Sequence, residues 1–379
     1  MKKYRIGVLG FGQMHMITMV DSFLKRPDIF SFMGYADTVT DLTPISTQYC
    51  THPSVRENVE TTFDLAVQMI DVAARAGADY VKFQTAIPEE VISCYAPKAE
   101  YQKETTGSAE SQLEMCRRIH LPLSDYARLE KICKEKGIGF MSTPFDLPSV
   151  DCLAQLDMDY WKIPSGEITN LPYLRKIAAP GRKIILSTGM SQLDEVATAV
   201  EILCTGGVTR DDIALLHCTT QYPTPYDAVS LRAMEALRSL NVGAVGYSDH
   251  TLGIEVPIAA VAMGAQIIEK HFTLDTTMEG PDHRASLDPE ALSKMVAAIR
   301  HIEDALGSAV KDVADAERGN ILIARKSIVA RRAIAAGELF TEQNLTVKRP
   351  ADGLSPMLWD SVIGKCAPHD FLPDQPIEL

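Results

Sequence analysis

Short apolar runs rich in β-branched and aromatic residues recur along the chain, separated by longer stretches in which apolar positions return every three or four residues. The first kind reads as buried strand and the second as amphipathic helix. The strand runs are YVKFQT (80–85), IGFMSTPF (138–145), YWKIPSGE (160–167), KIILSTGM (183–190), IALLHCTT (213–220), AVGYSDH (244–250) and QIIEKHFT (266–273). Between them fall helical stretches such as TTFDLAVQMIDVAARAGA (61–78), LSDYARLEKICKEKG (123–137) and QLDEVATAVEILCTGG (192–207), the last two closing on glycine as a C-cap. This alternation predicts a parallel α/β protein. Every strand run ends in polar or charged residues, and in a (β/α)8 TIM barrel those ends form the active-site face. Seven runs leave one stave to be found in residues 1–60, where RIGVLGFG (5–12) is the candidate and FMGYAD (32–37) its rival.

The pattern changes near the C-terminus. After ALGS (305–308) the polar stretch 309–320 reads as a linker, and residues 321–379, β-rich and punctuated by Gly337, Pro350, Gly353, Pro356 and Gly364, read as a small separate module. The expected organisation is an N-terminal segment (1–58), a barrel (59–308), the linker and the module. A length of 379 residues with 46% hydrophobic content suffices for one large core plus such a module.

Charge and cysteine usage narrow the function. A net charge of −13 argues against a nucleic-acid groove or an anionic membrane surface as partner and favours small metabolites. The eight cysteines include no C-x-x-C pair, which predicts reduced thiols in a cytoplasm rather than a disulfide frame. Gly10, Gln13 and His15 interrupt the apolar run a signal peptide needs, and no run of 18 apolar residues occurs, so no membrane association is expected.

The strand ends carry the candidate chemistry. His250 and His271 stand 21 positions apart, one strand-helix-strand step, so they project from neighbouring strands at one mouth. Two such imidazoles suit a divalent metal, although a strand histidine also serves as a hydrogen-bonded core residue. Lys82 and Lys162 end two other runs, and with the hydroxyls of Thr143, Ser165 and Ser248 they would cradle a phosphate; solvated or structural lysines are the plainer reading. Glu167, three residues after Pro164, fits a base, an acid or a salt-bridge partner for Lys162.

KFQT (82–85), APKAEYQKETTGSAESQLEM (96–115), STPFD (142–146), KIPSGEITNLPYL (162–174), LSTGM (186–190), LLHCTTQYPTP (215–225), GYSDHTLGIEV (246–256), EKHFTLDTTMEGPDHRASLDP (269–289) and TVKRPADGLSP (346–356) together resemble the sialic acid synthase family. The resemblance runs from about residue 60 to the end. It implies a (β/α)8 barrel joined to an antifreeze-like (SAF) domain, and an enzyme that condenses phosphoenolpyruvate with the open-chain aldehyde of N-acetylmannosamine or a related diacetamido hexose. The products would be a nonulosonic acid and phosphate. By the same resemblance Lys82, Thr143, Lys162, Ser165 and Ser248 hold phosphoenolpyruvate, with Thr220 where relatives often carry asparagine. His250 and His271 ligate Mn²⁺ or Mg²⁺, Glu167 handles protons, and Gln84, Tyr222 and Asp282 contact sugar hydroxyls. Arg349 of the SAF domain reaches the acyl group in a partner subunit's barrel, which implies a domain-swapped homodimer.

The opening does not follow that family, whose first strand carries an acidic and asparagine-bearing block absent here. Residues 1–58 instead resemble the start of a glucose-fructose oxidoreductase type dehydrogenase, through YRIGVLGFGQMH and GYADT. A dinucleotide site needs a full Gly-rich turn and a complete Rossmann sheet; the third glycine of the fingerprint falls at His15, and only one strand-helix-strand segment precedes the barrel sequence. RIGVLGFG is therefore expected as the stave between YVKFQT and QIIEKHFT, with a helix near 17–25. Two other functional readings stay open: a synthase-like protein that binds without turnover, and an NAD-dependent oxidoreductase.

Overall fold

The computed structural model describes residues 4–9, 30–36, 62–98, 102–103, 111–178, 182–278 and 280–379. They divide into two units, Met1–Leu306 and Gly307–Leu379.

In the first unit each apolar run becomes a strand. These are β3 (Tyr80–Thr85), β4 (Gly139–Pro144), β5 (Tyr160–Ile163), β6 (Lys183–Ser187), β7 (Ile213–Cys218), β8 (Ala244–Asp249) and β9 (Ile268–Lys270). All ladders among them are parallel: β3 with β4, and β5 through β9 in chain order, while β4 packs beside β5. β6, β7 and β9 stop short of the predicted runs at their C-terminal ends, and Met190, Thr220 and His271 beyond them line a cavity.

Helices α1 (Thr62–Ala76), α2 (Leu123–Lys136), α3 (Leu193–Thr205), α4 (Glu255–Ala262) and α5 (Pro289–Leu306) are among those packed on the outside of these strands. Gly137 ends α2 in the left-handed conformation expected of a glycine cap (φ 72°), whereas α3 ends on Gly206 in right-handed geometry and turns left-handed only at Gly207. The main core lies between strands and helices, around Trp161, Ile163, Leu186, Leu215 and Tyr247 from the strands and Ile70, Leu129 and Leu203 from the helices. A smaller cluster of Met141, Ile185, Ala214 and Leu216 fills the inside of the strand ring.

Among the described strands the ring has a seam. β3 is hydrogen-bonded only to β4, and β9 only to β8, among the described strands. Between β3 and β9 runs a cavity of about 530 Å³, walled by Met141, Ile185 and Leu216 from within the ring and by Ala73, Met295 and Ile299 from α1 and α5. α1 packs against α5 on one side and α2 on the other, so helices meet outside the place where strands do not.

RIGVLGFG does form a strand, β1 (Tyr4–Leu9), but its ladder is with β2 (Phe30–Ala36), parallel, in a separate two-stranded sheet. Among the described strands it makes no ladder with β3 or β9. A parallel pair needs a crossover of about a dozen residues or more, and the 20 positions between Leu9 and Phe30 supply it, which makes β2 the local partner. The helix expected near 17–25 lies outside the described residues.

The second unit pairs β10 (Ser327–Ala330) antiparallel with β11 (Leu345–Lys348) over a core of Ile328, Phe340, Leu345, Phe371 and Ile377. The stretch read as a linker is partly helical: α6 (Asp315–Ala324) begins inside it and runs toward β10.

Candidate active site

A cavity of about 190 Å³ opens at the C-terminal ends of the strands, and ten of the sequence candidates line it: Lys82, Gln84, Thr143, Lys162, Ser165, Thr220, Tyr222, Ser248, His250 and His271. They come from β3, β4, β5, β7, β8 and β9 or from the residues just after them, because parallel strands bring sequence-distant C-terminal ends to one mouth.

At its floor lies a carboxylate the sequence reading did not single out. Glu269 Oε2 is 3.7 Å from Lys162 Nζ and 4.0 Å from Lys82 Nζ, and Oε1 accepts a hydrogen bond from the Ser248 hydroxyl at 3.0 Å. Lys162 also donates to Ser187 Oγ at 2.7 Å and the Ile163 carbonyl at 3.2 Å, while Lys82 reaches Thr143 Oγ1 at 3.5 Å. Burial pushes the Lys162 ammonium below its ordinary range, a shift Glu269 opposes and Lys82 reinforces. Burial alone would raise Glu269, but Lys162 and then Lys82 overcome it and hold this carboxyl at about 2. The floor thus sets one carboxylate within 4.0 Å of two lysine side chains.

The sequence reading had offered Glu167 as a partner for Lys162, and the structure corrects this. β5 ends at Ile163, and a 3-10 turn over Ser165–Glu167 breaks strand alternation, so Glu167 Oε2 instead accepts from Asn170 Nδ2 at 2.6 Å. Glu269 was discoverable: it stands two positions before His271, hence on the same strand face, and two lysines inside apolar runs call for a carboxylate.

Beside this floor stand the histidines, with ring centroids 5.3 Å apart. Tyr222 lies over His250 at 4.1 Å and meets His271 edge-on at 5.6 Å. His250 Nδ1 is 2.6 Å from the Thr219 carbonyl, which can only accept. Nδ1 therefore carries the proton and Nε2 keeps its lone pair, the arrangement of a metal-ligating histidine. Burial lowers His250; enclosure, then His250, then Lys82 push His271 down to about 3. Both rings are neutral at neutral pH. Two neutral imidazoles side by side suit a divalent cation whose other positions go to water or substrate, although no group of three His, Cys, Asp or Glu side chains is arranged for a metal among the described residues.

Ser165 Oγ accepts from the Gly189 amide at 2.9 Å, and a Cβ on Gly189 would fall 2.9 Å from that oxygen and 2.7 Å from Thr220 Cγ2. Only glycine lets the backbone after β6 come this close.

Three candidates stand apart. Glu167 is half-buried and does not line the small cavity. Asp282 lies on the wall of the larger cavity, which also touches Lys82, Gln84, Glu269 and His271; its Oδ1 is enclosed with no hydrogen-bond partner, and burial raises its pKa. Arg349 belongs to the second unit, where its Nε donates to the Ala324 carbonyl at 2.9 Å. No described helix is long and apolar enough to cross a membrane.

Residues 69–311 match the model of the NeuB family, and residues 325–379 match that of the SAF domain. The N,N'-diacetyllegionaminic acid synthase of Campylobacter jejuni is 50% identical over 312 residues, 82% of this chain and 93% of that protein. The enzyme of the same name from Legionella pneumophila is 42% identical over 302 residues, 79% of this chain and 85% of that protein. Among solved structures, the N-acetylneuraminic acid synthetase of Leptospira borgpetersenii, in complex with citrate, superposes with a TM-score of 0.59 at 33% identity, covering 68% of this chain and 85% of that one.

Proposed function

Because the chain belongs to the NeuB family and ends in a SAF domain, we propose that this nonulosonic acid synthase condenses phosphoenolpyruvate with a diacetamido hexose, to give a legionaminic-type acid and phosphate. The observation that carries the reading is the convergence of Lys82, Lys162, Glu269 and the Thr143, Ser165 and Ser248 hydroxyls under two neutral histidines in one cavity. The choice of sugar is supported by identities of 50% and 42% to legionaminic acid synthases against 33% to the sialic acid synthetase.

In this reading the two ammonium groups and the hydroxyls bind the phosphate and carboxylate oxygens of phosphoenolpyruvate, with Thr220 beside them. The enol C3 attacks the aldehyde carbon, water adds at C2, and phosphate leaves as the C–O bond breaks. Each step moves negative charge, which preplaced cations and donors stabilise. Glu269 keeps both lysines charged and oriented until the anion arrives. Gln84, Tyr222 and Asp282 hold sugar hydroxyls; the enclosed, unpartnered Asp282 Oδ1 lacks the donor a hydroxyl would supply. Glu167 exchanges the proton at the aldehyde oxygen. His250 and His271 would hold Mn²⁺ or Mg²⁺, which when bound supplies Lewis-acid polarisation of the aldehyde. Arg349 of a second subunit contacts the acyl end of the sugar in a domain-swapped homodimer.

The test is phosphate release from phosphoenolpyruvate in the presence of Mn²⁺, with 2,4-diacetamido-2,4,6-trideoxyhexose and N-acetylmannosamine compared. Release that requires the sugar and favours the diacetamido compound is expected. Preference for N-acetylmannosamine would refute the sugar assignment, and no sugar-dependent release would refute the activity.

A further inference from the structure

His271 sits one residue beyond the end of β9, where its carbonyl accepts from the Leu287 amide at 2.9 Å and Phe272 bridges to Leu287. β9 is three residues long, has β8 as its sole ladder partner among the described strands, and faces the larger cavity on its other edge. The bonds to Leu287 tie the chain after β9 to that residue and not to β8, so the distance from His271 to His250 is set at the last pair of the β8–β9 ladder, Asp249 and Lys270.

Alternation along β8 sends Ser248 and His250 toward the site and Tyr247 and Asp249 to the opposite face; along β9 it does the same for Glu269 and His271 against Lys270. Asp249 and Lys270 are register partners across the ladder, so their side chains meet behind the site. There Lys270 Nζ lies 2.5 Å from Asp249 Oδ2, with the two side chains 1% and 0% exposed. Asp249 is fully subscribed: Oδ1 accepts from the Tyr247 hydroxyl at 3.0 Å and the Thr251 amide at 3.1 Å, and Oδ2 also accepts from Thr251 Oγ1 at 3.0 Å. Lys270 Nζ donates in addition to the Thr251 carbonyl at 2.5 Å. His250 is thus bracketed by two residues of this knot, and His271 directly follows a third.

Stability alone does not call for this arrangement. A buried ion pair loses most of its Coulomb gain to desolvation, and an apolar pair of similar volume is often as stable or more so. An ion pair does what an apolar contact does not, which is to fix two groups at one distance and direction.

We propose that the Asp249–Lys270 pair is a positioning device: it ties the ends of β8 and β9 together from behind and so sets the separation of the His250 and His271 imidazoles. The proposal rests on the reading of those histidines as metal ligands, and it concerns residues that touch neither metal nor substrate.

The test uses the full chain with Lys270→Met, and with Asp249→Asn and Lys270→Met combined, which removes both charges while leaving Asn to accept from Tyr247 and Thr251. Mn²⁺ affinity is measured by calorimetry, and the imidazole resonances of His250 and His271 by NMR on metal-free protein. The double variant is expected to melt cooperatively yet bind Mn²⁺ at least tenfold more weakly, with both imidazole resonances shifted or broadened. Lys270→Arg, which keeps the charge, should recover much of the affinity. A folded double variant with wild-type Mn²⁺ affinity and unmoved imidazole resonances overturns the proposal, even if its melting temperature falls. A wild-type protein that binds no Mn²⁺ defeats the metal reading, and the imidazole resonances then decide the positioning claim on their own. If neither charge-removing variant folds, the wild-type Lys270 ammonium decides: a slowly exchanging ¹⁵Nζ signal supports the tie, and rapid exchange with water overturns it.

Discussion

Replacing Glu269 by glutamine removes one negative charge from beneath two lysines while keeping volume and the Ser248 hydrogen bond. At 3.7 and 4.0 Å, with an effective dielectric of ~20, each lysine loses an attraction of about 4 kcal/mol. Desolvation already cancels part of that attraction, and the Glu269 side chain is 20% exposed. The net loss is therefore set at ~2–5 kcal/mol, the range for truncating one member of a buried charge pair. The cost is largest without ligand, since Lys162, 3% exposed, then keeps a charge with no counter-ion. An anion supplies that counter-ion. Phosphoenolpyruvate or inorganic phosphate should therefore stabilise Glu269→Gln more than wild type, in which the carboxylate competes for the same cations. At a ligand concentration 100-fold above its dissociation constant the gain is about 2.7 kcal/mol, enough to return much of the deficit. Urea titration followed by fluorescence of the buried Trp161, with and without each anion, reads both quantities. Equal stability of the two proteins, or an equal ligand-induced shift in both, would refute the account of this floor.

His271→Ala should abolish Mn²⁺ binding in calorimetry while the melting curve stays cooperative, because a residue past the strand end contributes little to the core; undiminished affinity would sink the ligand assignment. Arg349→Ala should raise the KM of the sugar far more than that of phosphoenolpyruvate, and mixing it with Glu167→Ala subunits should restore part of the activity through one intact composite site; no recovery after demonstrated subunit exchange would exclude swapping. In the second unit, Arg332 above all, then Asn344 and the Ala335 amide, hold the Glu338 carboxyl at about 2, below its ordinary 4.5. Its contribution to stability is complete above pH 4.5 and is lost as pH falls toward 2, so NMR signals of the Ile328 and Ile377 methyls should report a loosening in that window. Glu338→Gln should abolish that step, and an unchanged acid profile would rule out Glu338 as its source.

The parts of the molecule legible from sequence are those fixed by local periodicity. Seven runs predicted seven parallel strands because a strand buried on both faces must be apolar along its length. His250 and His271 were found because one strand-helix-strand step returns the chain to the same end of the sheet. Glu269 was not, since its role depends on Lys82 and Lys162, which lie 187 and 107 positions earlier and declare nothing about each other in sequence. Glu167 misled for a related reason: spacing along β5 would carry it to Lys162 only if the strand continued past Pro164, and it does not. The pairing of β1 with β2 was likewise a matter of competition between partners, which composition does not rank.

The seam between β3 and β9 bears on the order in which this molecule assembles. Among the described strands β3 and β9 each keep one unpaired edge, ordinarily an invitation to other chains, but here α1 and α5 meet outside the gap. A strand enters such a slot easily only while α1 is still undocked, since afterwards the helix pair bars its way. During synthesis the segment before residue 62 leaves the ribosome ahead of α1, whereas α5 emerges more than 200 residues later. Closure of the ring is thus a question of timing: a strand from the N-terminal segment has its opportunity during synthesis, while a latecomer must wait for the helices to part.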